Sequence, residues 1–123
     1  MRTLGDAGVR AAVVLVEIAR VERLLRLHEA RFLARAFTVE EREACFRRRD
    51  PARHLAARLA AKLAARRALG SPGFPLRSLN VSASRDGAPR LDITPPPAAS
   101  TFLSLSHDGG MAAAAVVFEG APE

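Results

Sequence analysis

Tryptophan and tyrosine are absent from this 123-residue chain, and cysteine and lysine occur once each. Six phenylalanines are its only aromatic residues, so a core must be built from Leu, Val and Ala, which suits helices packed on a sheet. No aromatic platforms alternate with the basic residues and no zinc-finger spacing occurs, which speaks against nucleic acid as a partner. A lone Cys45 forms no internal disulfide, and a reducing cytosolic setting is the default. Its neighbours, Glu43 and Ala44 before it and Phe46 and Arg47 to Arg49 after it, include no histidine to activate a nucleophile. No apolar run approaches the roughly 18 residues of a membrane span. The run from Ala11 to Val16 is too short for a signal peptide and meets Glu17 and Arg20 at once. The expectation is a soluble cytoplasmic protein with no membrane partner.

What is abundant is arginine. Net charge is +6, and Lys62 is the only basic residue besides arginine and histidine. Such an excess suits phosphate-bearing small molecules and acidic protein partners, although a GC-rich genome accounts for part of it.

The chain is organised around Ala52 to Gly70, ARHLAARLAAKLAARRALG. Asp50-Pro51 before it offers an N-cap and a proline at the first helical position, and Gly70 suits the C′ site. Leu55, Leu59 and Leu63 recur every fourth residue as a core stripe, beside Arg53, Arg58, Lys62, Arg66 and Arg67.

Residues 1–10 read as a lead-in, 11–119 as one domain and 120–123 as a tail. Ala11 to Ile18 is β-branched and almost continuously apolar, the pattern of a strand buried on both faces. A helix follows from about Ala19 to Ala36, with Val21, Leu24, Leu25 and Phe32 inward and Arg20, Arg23 and Arg31 outward. Thr38 and Glu41 have capping-box spacing and predict a further helix. Leu79–Ser84 and Pro89–Ile93 form a hairpin around Asp86-Gly87, and Thr101–Ser106 and Met111–Phe118 form another around His107 to Gly110. The fold class is α+β: a strand, three helices, then mainly antiparallel strands.

Five stretches, VEIARVERLL, RFLARAFTVEE, LAARLAAKLAARRALG, DGAPRLDI and LSLSHDGGMAAAAVVF, occur in order between residues 11 and 119. Together they resemble the holo-acyl-carrier-protein synthases, the small trimeric 4′-phosphopantetheinyl transferases. The resemblance implies that fold, and transfer of phosphopantetheine from coenzyme A to a serine of an acyl carrier protein in fatty acid or polyketide synthesis. It also implies active sites at trimer interfaces, and magnesium held by a strand aspartate and a helix glutamate. Hard oxygen ligands place a hard cation where a phosphoryl transfer develops charge.

Both ligand positions depart from the pattern. Val14 stands where the resemblance places the aspartate, and Leu63, in Lys62-Leu63-Ala64, where it places the glutamate. Neither side chain ligates magnesium at any pH. Losing one carboxylate would leave its partner buried without a metal, whereas losing both permits a dry strand–helix contact. Val14 and Leu63 are expected to touch, their burial contributing roughly 3–6 kcal/mol.

By resemblance, Arg20 and Arg31 match positions that contact the carrier protein. Arg58, Lys62 and Arg67 match positions on the coenzyme A phosphates, with Gly70 and Ser71 in the adjoining loop. Arg67 replaces a usual lysine, and Pro72 follows Ser71 where a glycine is usual, removing an N–H from that loop. His107 matches a terminal-motif histidine, a catalytic candidate or simply a turn residue. Glu17 and Asp108 are the nearby carboxylates from which a metal site could be rebuilt. Two readings follow. One is a non-catalytic member, homotrimeric or assembled with an active paralogue, that binds carrier protein or coenzyme A but holds no magnesium. The other is a slow enzyme with an altered metal site.

Overall fold

A computed structural model describes residues 8–120; residues 1–7 of the expected lead-in (1–10) and 121–123 of the expected tail (120–123) lie outside them. Strand β1 runs Val9–Glu17 and passes directly into helix α1, Ile18–Ala36. The strand starts two residues before the expected Ala11, because Val9 and Arg10 find partners in Glu119 and Phe118 of β5 (Met111–Gly120).

Thr38 caps helix α2, Val39–Phe46, with the reciprocal capping box intact: Glu41 N donates to Thr38 Oγ1 at 3.1 Å, and Thr38 N donates to Glu41 Oε1 at 2.8 Å. Helix α3, Pro51–Leu69, begins on proline and ends at Gly70 in the left-handed region, φ 72°. Asp50 does not cap it with its side chain, pairing instead with Arg53 Nε at 3.3 Å. Strands β2 (Leu79–Ala83) and β3 (Pro89–Ile93) form a separate two-stranded ribbon. Strand β4, Ala99–Asp108, completes an antiparallel sheet of order β1-β5-β4. Among the described residues, no helix is long and apolar enough to cross a membrane.

The sheet lays one face on α3. Alanines make that close approach possible: Ala56, Ala57, Ala60, Ala61, Ala64 and Ala65 are buried, opposite Ala112, Ala114 and Val116 of β5. Burial on both faces of β1 does not occur within one chain. Val14 and Val16 point into the core, while Val13 and Leu15 are each 63% exposed. A continuous apolar run does not reveal how many layers cover it, and here α3 covers one.

The leucine stripe of α3 also departs from expectation. Leu55 is fully buried but Leu59 and Leu63 are only partly so. Each four-residue step advances about 40° around a 3.6-residue helix, so the stripe drifts out of the interface within two steps. In α1, Val21 is buried as expected, and Leu24, Leu25 and Phe32 are half-buried. A non-helical residue at His28 (φ −144°, ψ 40°) shifts the phase, and Leu33 and Ala36 become the buried positions beyond it.

Candidate functional site

Lys62 is drawn inward. Its side chain is completely buried, its Nζ donates to the Ala36 carbonyl at 2.7 Å, and it is ion-paired with the equally buried Glu41. The second oxygen of Glu41 accepts from Val81 N at 2.6 Å, and the Phe37 ring lies 5.4 Å from the ammonium. Burial pulls the Lys62 pKa down and the Glu41 carboxylate opposes that shift. The ammonium therefore ties α3 to α2 and to the end of α1, and Glu41 carries the link on to β2. This corrects the expectation that Lys62 faces a phosphate: a cation with no exposed surface and these partners is not available to one.

Arg58 and Arg67 stand nine residues apart, about 180° around the helix, and line different grooves. Arg67 joins Leu63, Arg66, Gly70, Ser71 and Pro72 around a groove of about 360 Å³. Arg58 opens instead with Arg47, Arg48 and His54 onto a cleft of about 540 Å³ between α2, α3 and β2. Its Nε is buried with no hydrogen-bond partner, an orphan donor beside that cleft. One chain thus does not bring the three expected phosphate contacts together.

His107 is exposed near the end of β4, with its Nδ1 3.2 Å from Arg53 Nη1 and its ring 6.3 Å from that of His54 in an edge-to-face arrangement. Burial, then the Arg48 and Arg58 guanidinium groups and His107, push the His54 pKa down, only partly opposed by Asp50. Burial pushes the Cys45 thiol up against the pull of Arg58, keeping it protonated and unreactive. The cluster of Arg53, His54 and His107 was not legible as a unit. His54 and Arg58 have i,i+4 spacing, but nothing local ties them to a residue on β4.

Val14 is buried in the core between sheet and α3, and Leu63 packs, partly exposed, against that same core. Leu63 also borders a second groove of about 350 Å³ with Val16, Glu17, Arg20, Leu24 and Leu59. Glu17 and Asp108 each pair with Met111 from opposite sides, so two strand spacings, about 10 Å, separate their backbones. Among the described residues, no three His, Cys, Asp or Glu side chains converge as metal ligands. Hydrocarbon at Val14 and Leu63 does not fit a divalent cation at those positions.

Arg20 is exposed at the rim of this groove, and Arg31 is exposed on α1 beyond the His28 kink. Arg10 adds a cation that sequence reasoning left unassigned: its Nη1 donates to Leu69 O at 3.4 Å, beside Gly70 at the C-terminus of α3.

No protein-family model matches the chain. A holo-[acyl-carrier-protein] synthase of Anaeromyxobacter dehalogenans is 44% identical over 119 residues, covering 87% of this chain and 92% of that protein. One from Myxococcus xanthus is 38% identical over 122 residues, covering 91% and 96%. Among solved structures, the Bacillus anthracis holo-(acyl-carrier-protein) synthase in complex with CoA superposes with a TM-score of 0.80 at 26% identity, covering 91% of this chain and 96% of that one. The Helicobacter pylori enzyme in complex with coenzyme A gives 0.79 at 28%, covering 88% and 98%.

Proposed function

Because this chain belongs to the holo-acyl-carrier-protein synthase family, we propose that it is a degenerate cytoplasmic member, a single transferase-like domain that binds an acyl carrier protein or coenzyme A without metal-dependent phosphopantetheinyl transfer. One observation carries the reading: valine and leucine occupy both positions at which the family resemblance places magnesium-binding carboxylates. Positioning and charge stabilisation supply most of the catalysis in phosphoryl transfer, so their loss costs several orders of magnitude in rate. The burial of Val14 and the partial burial of Leu63 favour a site converted to core over one merely damaged.

What this chain's own residues do is bind. The exposed arginines of α1, Arg20 and Arg31 among them, suit the acidic surface of a carrier protein. Arg67, Gly70 and Ser71 suit a phosphate at one groove, and Arg58 with Arg47 and Arg48 suits one at the opposite side of α3. A single ligand touching Arg58 and Arg67 must bridge two subunits, which supports sites at subunit boundaries. The bare outer face of the sheet supports an oligomer as well: Val13, Leu15 and Phe102 are each more than half exposed. We assign that face to a trimer, formed by this chain alone or with an active paralogue.

The test is intact-mass analysis of an apo carrier protein incubated with this protein, coenzyme A and magnesium, beside calorimetry of the two proteins alone. The expected result is a complex with no gain of mass. A second reading, a slow enzyme, is favoured by the 44% identity to proteins named for the activity and by the Glu17 carboxylate in the groove beside Leu63. It predicts the mass of one phosphopantetheine.

A further inference from the structure

His54 lines the cleft between α2, α3 and β2 together with Arg47, Arg48 and Arg58. Three guanidinium groups thus meet in a space of about 540 Å³, which Glu40 and Glu43 of α2 also line. Among the described residues, none of these three arginines is ion-paired. His54 stands one helical turn before Arg58, on the same face of α3. From β4, the ring of His107 meets that of His54 edge to face at 6.3 Å. His107 is itself committed, its Nδ1 lying 3.2 Å from Arg53 Nη1. Arginine only donates, so Nδ1 accepts, and a second proton on His107 would break that bond. Asp50, an acidic neighbour of His54 just before α3, is held by Arg53 Nε at 3.3 Å. Proton exchange at this end of α3 then falls to His54.

We propose that His54 is a specificity-determining residue of this cleft: it takes up a proton when a phosphate monoester binds among the arginines, and so favours a ligand that carries the monoester over one that lacks it. In the chain alone, burial first, then Arg48, Arg58 and His107, disfavour the charged ring, only partly opposed by Asp50. An anion seated among those guanidinium groups cancels their repulsion and gives the imidazolium an acceptor. Anion and proton then strengthen each other's binding by the same factor. A monoester carries nearly two charges at neutral pH and a diester one, and three guanidinium groups with an imidazolium suit the former. Coenzyme A carries one monoester besides its pyrophosphate. This role rests on the proposed phosphate binding beside Arg58 and adds the residue that couples it to a proton.

Titration calorimetry of the full chain with coenzyme A, at about pH 6 and about pH 8 in buffers of different ionisation enthalpy, tests it by counting protons. His54→Gln is the control protein, and dephospho-coenzyme A, which lacks the monoester, the control ligand. The ligand's own phosphate also exchanges a proton at about pH 6, so the difference between the two proteins is what is read. At the lower pH the native protein takes up a proton with coenzyme A that His54→Gln does not. Its affinity falls between the two pH values by roughly tenfold more than that of the variant, a factor of ten for each unit by which binding raises the pKa. Dephospho-coenzyme A shows neither effect. NMR reads the same proton without a substitution, since the chain has only three histidines: the His54 midpoint moves up with coenzyme A and stays in place with dephospho-coenzyme A. Equal proton uptake by both proteins, or an unmoved His54 midpoint, overturns the role of His54 and leaves the phosphate reading standing. Equal uptake with dephospho-coenzyme A overturns the assignment to the monoester. No binding of coenzyme A at either pH overturns the phosphate reading and the role of His54 with it.

Discussion

Replacing Lys62 with methionine separates two roles for the only lysine in the chain. The substitution conserves much of the volume but deletes the ammonium that bridges Ala36 O and Glu41. Glu41 then remains fully enclosed, holding Thr38 N and Val81 N but with no countercharge. Removing one partner of a buried pair costs about 3–5 kcal/mol, more than the packing of a methionine returns. For a domain of this size that corresponds to a fall in Tm of about 10–20 °C, read by calorimetry at fixed protein concentration. Glu41→Gln in the Lys62→Met background relieves the stranded charge, and the cycle shows a coupling of about 1–3 kcal/mol. A change below 1 kcal/mol for Lys62→Met, or a drop in coenzyme A affinity with unchanged stability, would refute the structural role and return Lys62 to the ligand.

Three further outcomes follow from the fold. Gly70→Ala places a side chain at φ 72° and 3.3 Å from the Arg10 guanidinium, lowering stability by about 1–2 kcal/mol in urea unfolding, and no change would mean that α3 does not end there. Because the His54 pKa is depressed, the unfolded chain takes up a proton as pH falls below 6.5 while the folded protein resists it. Stability then declines on the acid side. His54→Gln removes that part of the decline, and parallel pH profiles of the two proteins would contradict it. Val13→Asp with Phe102→Asp puts charges on the bare sheet face and reduces the proposed trimer to smaller species in light scattering. A wild-type monomer would remove the basis for that prediction.

The elements that sequence reasoning placed well obey local rules. The capping box of Thr38 and Glu41, proline and glycine at the two ends of α3, and the turn at Asp86-Gly87 depend on residues within four positions of one another. What escaped depends on distant partners. Glu41 reaches Lys62 across 21 residues and Val81 across 40, so the capping residue gave no sign of its second task. Arg53 meets His107 only because β4 folds back across the end of α3. The His28 kink has neither proline nor glycine to announce it. The opposed directions of Arg58 and Arg67 were implicit in their nine-residue spacing.

The central claim is that hydrocarbon at Val14 and Leu63 has switched off the chemistry while the binding surfaces remain. It is tested most directly by intact-mass analysis of an apo carrier protein with coenzyme A, magnesium, and either the native protein or the Val14→Asp, Leu63→Glu double variant. The account predicts no added mass with the native protein and the addition of one phosphopantetheine with the double variant. Stoichiometric transfer by the native protein would contradict it.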